Sequence, residues 1–420
     1  MILICDSIMG TGKTSASITY MNEHSDEKYI YITPYLKEAE RIRKGCKNLK
    51  FIEPSNKLSE YKFRKIEHTA ALIKRGANIT TTHQAFKFYT PEMLKDIKEN
   101  GYNLIIDENV DVIEKCDTCK ADMEMLEAAG FIKDDGVSYQ VTEKPYKGKA
   151  LEQIYNLLKV RSLNKVCSRD DKREYTFFWV FPPEFILSFN NVIVMTYLFE
   201  AQSLHHFLKI HNINYKYIGV RKSNNIYRFC EYPGDTPEYV SNIKNMIHIL
   251  EDDKMNNVGI DEYSLSMNWF LSHTEEVGIL KRNLTNYLRN RADDNKSKIL
   301  WGTYKDQLPN LKGKGYTRAF LPFNEIATNE YKDRNHLAYA VNVFMNVGEV
   351  ILYDGFGIAI DQEMYALSIM VQWIWRSAIR EGHDINLYLP SRRMRRILKK
   401  WMLWISENGN RVEEAELGMK

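Results

Sequence analysis

The chain has 420 residues, of which 44% are hydrophobic and 27% charged, with a formal net charge of +3. That length accommodates two or three globular domains. The near-neutral charge excludes a polycation that holds nucleic acid by bulk attraction, so any such contact has to come from local basic patches. No apolar run reaches the roughly 20 residues of a membrane span, and the apolar N-terminus lacks the basic lead of a secretory signal. Six scattered cysteines fit a reducing cytoplasm. Cys116 and Cys119 form a lone Cys-x-x-Cys without the second pair a zinc site needs, so free thiols are expected there.

Met1–Cys5 is a short apolar run that reads as a strand. The stretch Ser7-Ile8-Met9-Gly10-Thr11-Gly12-Lys13-Thr14 follows, and Ser15–Asn22 reads as a helix. Strand, glycine loop, Lys-Thr and helix is the order of a phosphate-binding P-loop. Backbone N–H groups freed by Gly10 and Gly12 wrap a polyphosphate, and the helix N-terminus adds partial positive charge. Lys13 reaches the β- and γ-phosphates, and the Thr14 hydroxyl ligates magnesium. Ser7 stands where the pattern opens with glycine, and Thr11 completes the loop.

Tyr29–Thr33 is β-branched and aromatic, a strand that Pro34 ends, and Lys37–Lys44 reads as a helix. Ile79–His83 is a Thr-rich strand before a helical Gln84–Phe88. Tyr102–Ile106 is a third strand with Asp107-Glu108 at its C-terminal end. Alternating strands and helices imply a mostly parallel sheet covered on both faces. Ligands collect at the C-terminal edge of such a sheet, where the P-loop and Asp107-Glu108 both fall. Asp107 suits a magnesium ligand and Glu108 a residue that polarises the attacking water.

The rhythm breaks at residues 115–175, read as an insertion, with a hairpin over Phe131–Thr142. It returns with strands at Tyr175–Val180 and Val192–Met195. A second domain is expected from residue 206, with strands at Tyr215–Val220, Lys298–Thr303, Ala319–Pro322, Val350–Tyr353 and Ile385–Leu389 and a long helix over Met364–Arg380. Lys312–Gly315 is a basic glycine loop, either a phosphate contact or a solvated turn. Ser391–Trp404 reads as a helix with Arg392, Arg395, Arg396 and Lys399 on one face, either a phosphate-binding surface or a solvated one. Residues 406–420 read as a charged tail.

These segments resemble the superfamily 2 (DEAD/DEAH-like) helicase core, in the compact form carried by bacterial viruses and prophages. Ser7–Thr14 matches motif I and Asp107-Glu108 motif II. Ile32-Thr33-Pro34 resembles motif Ia, and Thr81-Thr82-His83 sits where the family has another backbone-contacting segment. Thr196-Tyr197 resembles a variant of motif III without its Ala-Thr. Residues 327–334, with Thr328 and Asn329, fall at motif V. Gln372–Arg380 resembles motif VI, one residue longer than the common form, which leaves Arg376 and Arg380 as arginine-finger candidates.

The resemblance implies an α/β fold of two tandem RecA-like P-loop NTPase domains with parallel sheets covered by helices, at about 1–205 and 206–405. It implies ATP and Mg2+ as ligands and a cytoplasmic helicase or translocase, in the bacterial host if viral. Its expected partners are single-stranded or forked DNA and other replication proteins. It also implies that Thr33, Pro34, Thr82, His83, Thr328 and Asn329 touch nucleic acid. Two other readings stay open: a DNA-packaging motor ATPase, and a nucleotide-gated replication adaptor. Intact Lys13 and Glu108 favour turnover over the adaptor.

Overall fold

Branched and aromatic residues, which fit a pleated surface buried on both sides, build the first strands. These are β1 (Ile2–Asp6), β2 (Lys28–Thr33), β3 (Phe51–Ile52), β4 (Asn78–Thr82) and β5 (Tyr102–Asp107). A separate group follows: β6 (Ile113–Cys116), β7 (Ile132–Asp134), β8 (Ser138–Val141), β9 (Ser162–Cys167) and β10 (Tyr175–Val180). Then come β11 (Val192–Thr196), β12 (Lys216–Ser223), β13 (Ile226–Glu231), β14 (Ile247–Ile249), β15 (Ile299–Gly302), β16 (His336–Tyr339) and β17 (Ile385–Tyr388). The computed structural model describes residues 1–34, 36–61, 64–167, 175–291, 298–325 and 330–411.

The chain divides into two units. One comprises Met1–Asp6, Gly12–Gly234 and Asn346–Ile360, and the other Ser7–Thr11, Asp235–Met345 and Asp361–Lys420. The first holds an eight-stranded sheet in the order β13-β12-β1-β11-β5-β2-β4-β3. Every pairing in it is parallel except the β12–β13 hairpin. Period-two alternation sends Ile4, Ile30, Ile32, Leu104, Ile106 and Val194 to one face and Cys5, Tyr29, Tyr31, Ile105, Ile193 and Met195 to the other. The helices Lys65–Lys74, Pro91–Asn100 and Ser203–Ile210 cover the first face. The helices Lys13–Glu23 and Leu36–Gly45 cover the second with Ala16, Met21 and Ile42. Each such aliphatic side chain withdrawn from water contributes about 1.5–3 kcal/mol before entropy is counted.

The segment expected as an insertion over 115–175 is a folded antiparallel sheet, β6-β10-β9-β8-β7, spanning Ile113–Val180. Met123, Leu126, Tyr155, Phe177 and Trp179 give it a core of its own. The hairpin read over Phe131–Thr142 is β7–β8, paired antiparallel from Ile132↔Val141. The second unit carries a four-stranded sheet, β14-β17-β16-β15, parallel throughout. Both units are therefore α/β with parallel main sheets, the fold class expected of two RecA-like domains.

Five expectations need correction. Tyr215–Val220 does form a strand, but as β12 it pairs with β1 through Leu3↔Lys216, so the second unit begins at Asp235 and not at 206. Val350–Tyr353 lies in a helix, Val347–Gly355, because the Asn346 side chain accepts from Gly348 N and starts it. Ala319–Pro322 makes one bridge, Trp301↔Phe320, and Pro322 has no N–H to continue a ladder. The helix expected to Arg380 runs Gln362–Ile374, and Ser377 adopts extended backbone before the short turn Ala378–Glu381. The charged tail begins later than 406, since the last helix, Arg392–Asn408, continues through that point.

Candidate active site

β1 delivers Asp6 to the sheet edge, and the helix Lys13–Glu23 begins seven residues later. Gly10 and Gly12 have φ of 91° and 90°, a region in which a Cβ clashes with its own backbone. Gly12 is the N-cap of the helix, and no side chain caps it. Its first N–H groups therefore point toward the loop, as an anion cradle requires. Within the loop Thr11 Oγ1 donates to Ile8 O at 3.0 Å. Ile8 N donates to the Asn410 side chain at 3.0 Å, and Asn410 is anchored on Asp235 O and Thr236 Oγ1. Ser7 is buried, with no surface exposure.

β5 brings Asp107 and Glu108 to the same edge as β1, with β11 between the two strands. Burial lowers the Lys13 pKa, while Cys5, Glu108, Asp6 and Asp107 hold it up. The lysine thus stands among carboxylates. Burial, reinforced by Glu108 and opposed by the Tyr31 hydroxyl, pushes Asp107 up to about 7. That hydroxyl donates to Asp107 Oδ2 at 3.0 Å. Glu108 sits at φ 66°, left-handed backbone that costs a non-glycine residue about 1–3 kcal/mol and recurs at functional sites. Its N–H donates to Met195 O at 3.0 Å, which fixes it beside β11.

The Thr14 hydroxyl and the Asp107 and Glu108 carboxylates offer oxygen donors on this edge. Such donors suit a hard divalent cation such as Mg2+.

Asp6 was not singled out in the sequence, although an acid closing an apolar strand beside a P-loop is a visible signal. Its carboxylate accepts from Leu198 N at 2.9 Å and Phe199 N at 2.8 Å. Burial raises it to about 6 against those two N–H groups and Lys13. The residue before the P-loop is thereby tied to the segment after Thr196, with Leu198 at φ 55°. Tyr31 and Tyr227 were missed as well, because isolated aromatics carry no motif.

The expected nucleic-acid residues divide. Thr33 and Thr82 are register partners on β2 and β4. The Thr33 hydroxyl is buried, however, and Thr82 Oγ1 accepts from Ala85 N to cap a helix. His83 is buried, its ring within 2.8 Å of Asp107 O, and burial lowers its pKa to about 4. The Thr33 and His83 side chains are therefore buried, and neither is presented to a phosphate in this structure. Pro34 stays half-buried at the end of β2. Thr328 and Asn329 lie outside the described residues.

Arg376 is buried beyond the end of the helix Gln362–Ile374, and Arg380 is half-exposed in the turn Ala378–Glu381, so the two do not lie on one continuous helix. The Arg380 carbonyl lies 4.0 Å from where a Gly10 Cβ would stand. Gln372 is half-buried on the helix Gln362–Ile374, whose Trp373 is core. On the helix Arg392–Asn408, Arg392 is exposed. Arg395 donates to Leu389 O and Pro390 O at 2.6 and 2.7 Å. Arg396 pairs with Glu262 and Glu363, and Lys399 with Glu251. The basic face is thus largely occupied by the second unit's own groups.

Among the described residues no cluster of three His, Cys, Asp or Glu is placed to hold a metal. Cys116 is buried, while the Cys119 thiol is exposed and donates to Asp122 at 3.2 Å. Among the described residues no helix is long and apolar enough to cross a membrane.

Two units, each with a mostly parallel main sheet, define the class: a two-unit α/β protein. A family model described as the YonV C-terminal Rossmann-like domain matches residues 241–402. An SPbeta prophage-derived uncharacterized protein of Bacillus subtilis (strain 168), YonV, is 35% identical over 404 residues, covering 96% of this chain and 98% of that protein. The chain belongs to the YonV family. A solved structure of S. tokodaii Xpd4 is similar at 13% identity and a TM-score of 0.45, covering 99% of this chain and 94% of that one. A DEAD box protein from the hyperthermophile Methanococcus jannaschii is similar at 11% identity and a TM-score of 0.26, covering 96% and 86%. Likenesses of that size leave the activity to be argued from the chain's own residues.

Proposed function

We propose that this protein is an ATP hydrolase that uses turnover to move along nucleic acid, a helicase or translocase of the superfamily 2 type. The observation that carries the reading is the sheet edge where half-buried Lys13 stands among Asp6, Asp107 and Glu108, next to two positive-φ glycines. Gly10–Thr14 cradle the phosphates with Ser7 at the loop's mouth. Thr14 and Asp107 hold Mg2+, which supplies charge neutralisation at the transferring phosphoryl group. Glu108 orients and deprotonates the attacking water.

Arg380 is the better arginine-finger candidate than Arg376, because it is partly exposed while Arg376 is buried. Gln372 acts with it. The two parallel sheets suit two domains, about 1–234 and 235–411, that alternate their grip on a strand. Pro34, Thr82 and Arg392 remain candidates for touching the nucleic-acid backbone, with single-stranded or forked DNA as the preferred substrate. Arg395 and Arg396 join them only if their present partners are exchanged for phosphates. The prophage origin of the Bacillus subtilis relative fits a role in viral DNA replication or recombination, in the host cytoplasm alongside replication proteins.

The decisive experiment is phosphate release with and without single-stranded DNA for the wild type, Lys13→Ala and Glu108→Gln. Lys13→Ala should lose both hydrolysis and tight nucleotide binding. Glu108→Gln should bind ATP while turnover falls at least about a hundredfold. Wild-type turnover in Glu108→Gln would sink the assignment.

A further inference from the structure

The cradle accounts for the phosphates of a nucleotide and leaves its nucleoside end to be placed. The β12–β13 hairpin turns tightly at Asn224 and Asn225, both at positive φ (51° and 61°). β13 lies along the helix Lys13–Glu23 and is pinned at its far end, where Arg228 Nε and Nη2 donate to Glu23 Oε1 at 2.9 and 2.7 Å. Phe229 meets Tyr20 edge-on with ring centroids 6.0 Å apart. That register lays Tyr227 on the P-loop itself: a Cβ on Gly12 would stand 2.3 Å from Tyr227 Cδ1 and 2.4 Å from Cε1.

Beside the ring opens a cavity of about 770 Å³, within the range that holds a small ligand. Ser15 and Ile18, Glu40, Arg41 and Lys44, and Asn225 and Tyr227 are among the residues that line it. Ser15 directly follows Thr14, so a nucleotide leaving the cradle on this side enters the cavity within one residue. The Arg41 guanidinium is steered there by Ser15 Oγ, 3.1 Å from Nη2. Tyr227 already carries a cation over its ring, the exposed Lys222 ammonium 5.4 Å from the centroid. A flat aromatic ring, a branched aliphatic side chain and a planar guanidinium make a slot for a flat heterocycle.

We propose that Tyr227 and Arg41 hold the nucleobase and ribose of the bound nucleotide, and that the β12–β13 hairpin thereby sets base selectivity. The proposal rests on the P-loop reading above. Calorimetric titration of the full chain with MgATP and with magnesium tripolyphosphate, which has phosphates but no base, separates the two. Tyr227→Ala and Arg41→Ala should each weaken MgATP roughly ten- to a hundredfold, the size of one base stack, and leave tripolyphosphate within about twofold. Tyr227→Phe, which keeps the ring, should bind MgATP like the wild type. If both alanine variants bind MgATP as the wild type does, or lose MgATP and tripolyphosphate equally, the base slot is refuted while the cradle stands. If Lys13→Ala binds both ligands unchanged, or the wild type binds neither, the P-loop reading fails first and takes the slot with it.

Discussion

Replacing Gly12 by alanine tests whether the loop conformation and the hairpin are one structure. The substituted Cβ would stand 2.3, 2.4 and 2.9 Å from Tyr227 Cδ1, Cε1 and Cγ. Carbon atoms rest at about 3.5–4.0 Å, so the ring would have to withdraw by more than about 1 Å. It cannot withdraw alone, because Arg228 on Glu23 and the Lys222↔Tyr227 register hold the strand. Forced overpacking of this kind costs about 1–3 kcal/mol. The φ of 90° adds about 1–2 kcal/mol for any residue with a Cβ. Gly12→Ala should therefore destabilise by about 2–5 kcal/mol. In a Tyr227→Ala background only the backbone part should remain, leaving a coupling of about 1–3 kcal/mol between the two sites. Urea unfolding of the four proteins of this cycle measures it. Equal penalties for Gly12→Ala in both backgrounds would refute the packing argument and leave the glycine explained by φ alone.

Mg2+ binding should weaken as pH falls below about 7, where the raised Asp107 carboxyl takes up a proton that metal must displace. The apparent affinity should drop about tenfold per pH unit, saturating Mg2+ should restore binding, and Asp107→Asn should bind weakly with no slope; an unchanged affinity from pH 8 to pH 5.5 would discard Asp107 as a ligand. Arg380→Ala should cut ATP turnover by about a thousandfold with little change in ATP affinity, whereas buried Arg376→Ala should chiefly destabilise; full turnover in both variants would end the arginine-finger model. Arg393, missed in the sequence as one more helix cation, is 2% exposed and donates to Asn342 Oδ1, Val343 O and Gln362 O. Arg393→Ala should cost about 3–5 kcal/mol by stranding those acceptors, while exposed Arg392→Ala should leave the unfolding midpoint unchanged; a reversed order would mean the wrong arginine is structural.

Local physics determined the candidate site. A glycine that must sit at positive φ, a Lys-Thr that opens a helix, and an acidic pair that closes an apolar strand are each written in consecutive residues. Consecutive residues suffice because phosphate binding uses backbone geometry within one loop. The same locality made β2, β4, β5 and the β7–β8 hairpin legible. Most of what failed depended on a distant partner; the local exception is the Val350–Tyr353 run, whose strand composition hid the helix that the nearby Asn346 caps. β12 looked like the start of a new domain, and pairing with β1 joined it to the first sheet. The cations of the last helix looked like a phosphate surface, but Arg396 pairs with Glu262 and Glu363, Lys399 pairs with Glu251, and Arg395 donates to two loop carbonyls. Thr33 and His83 matched a motif by position, yet one at the end of β2 and the other at the start of a helix are both buried. Spacing along the chain fixes which atoms a loop can offer, but charge pairing, burial and strand order join residues up to hundreds of positions apart, and only tertiary structure decides those.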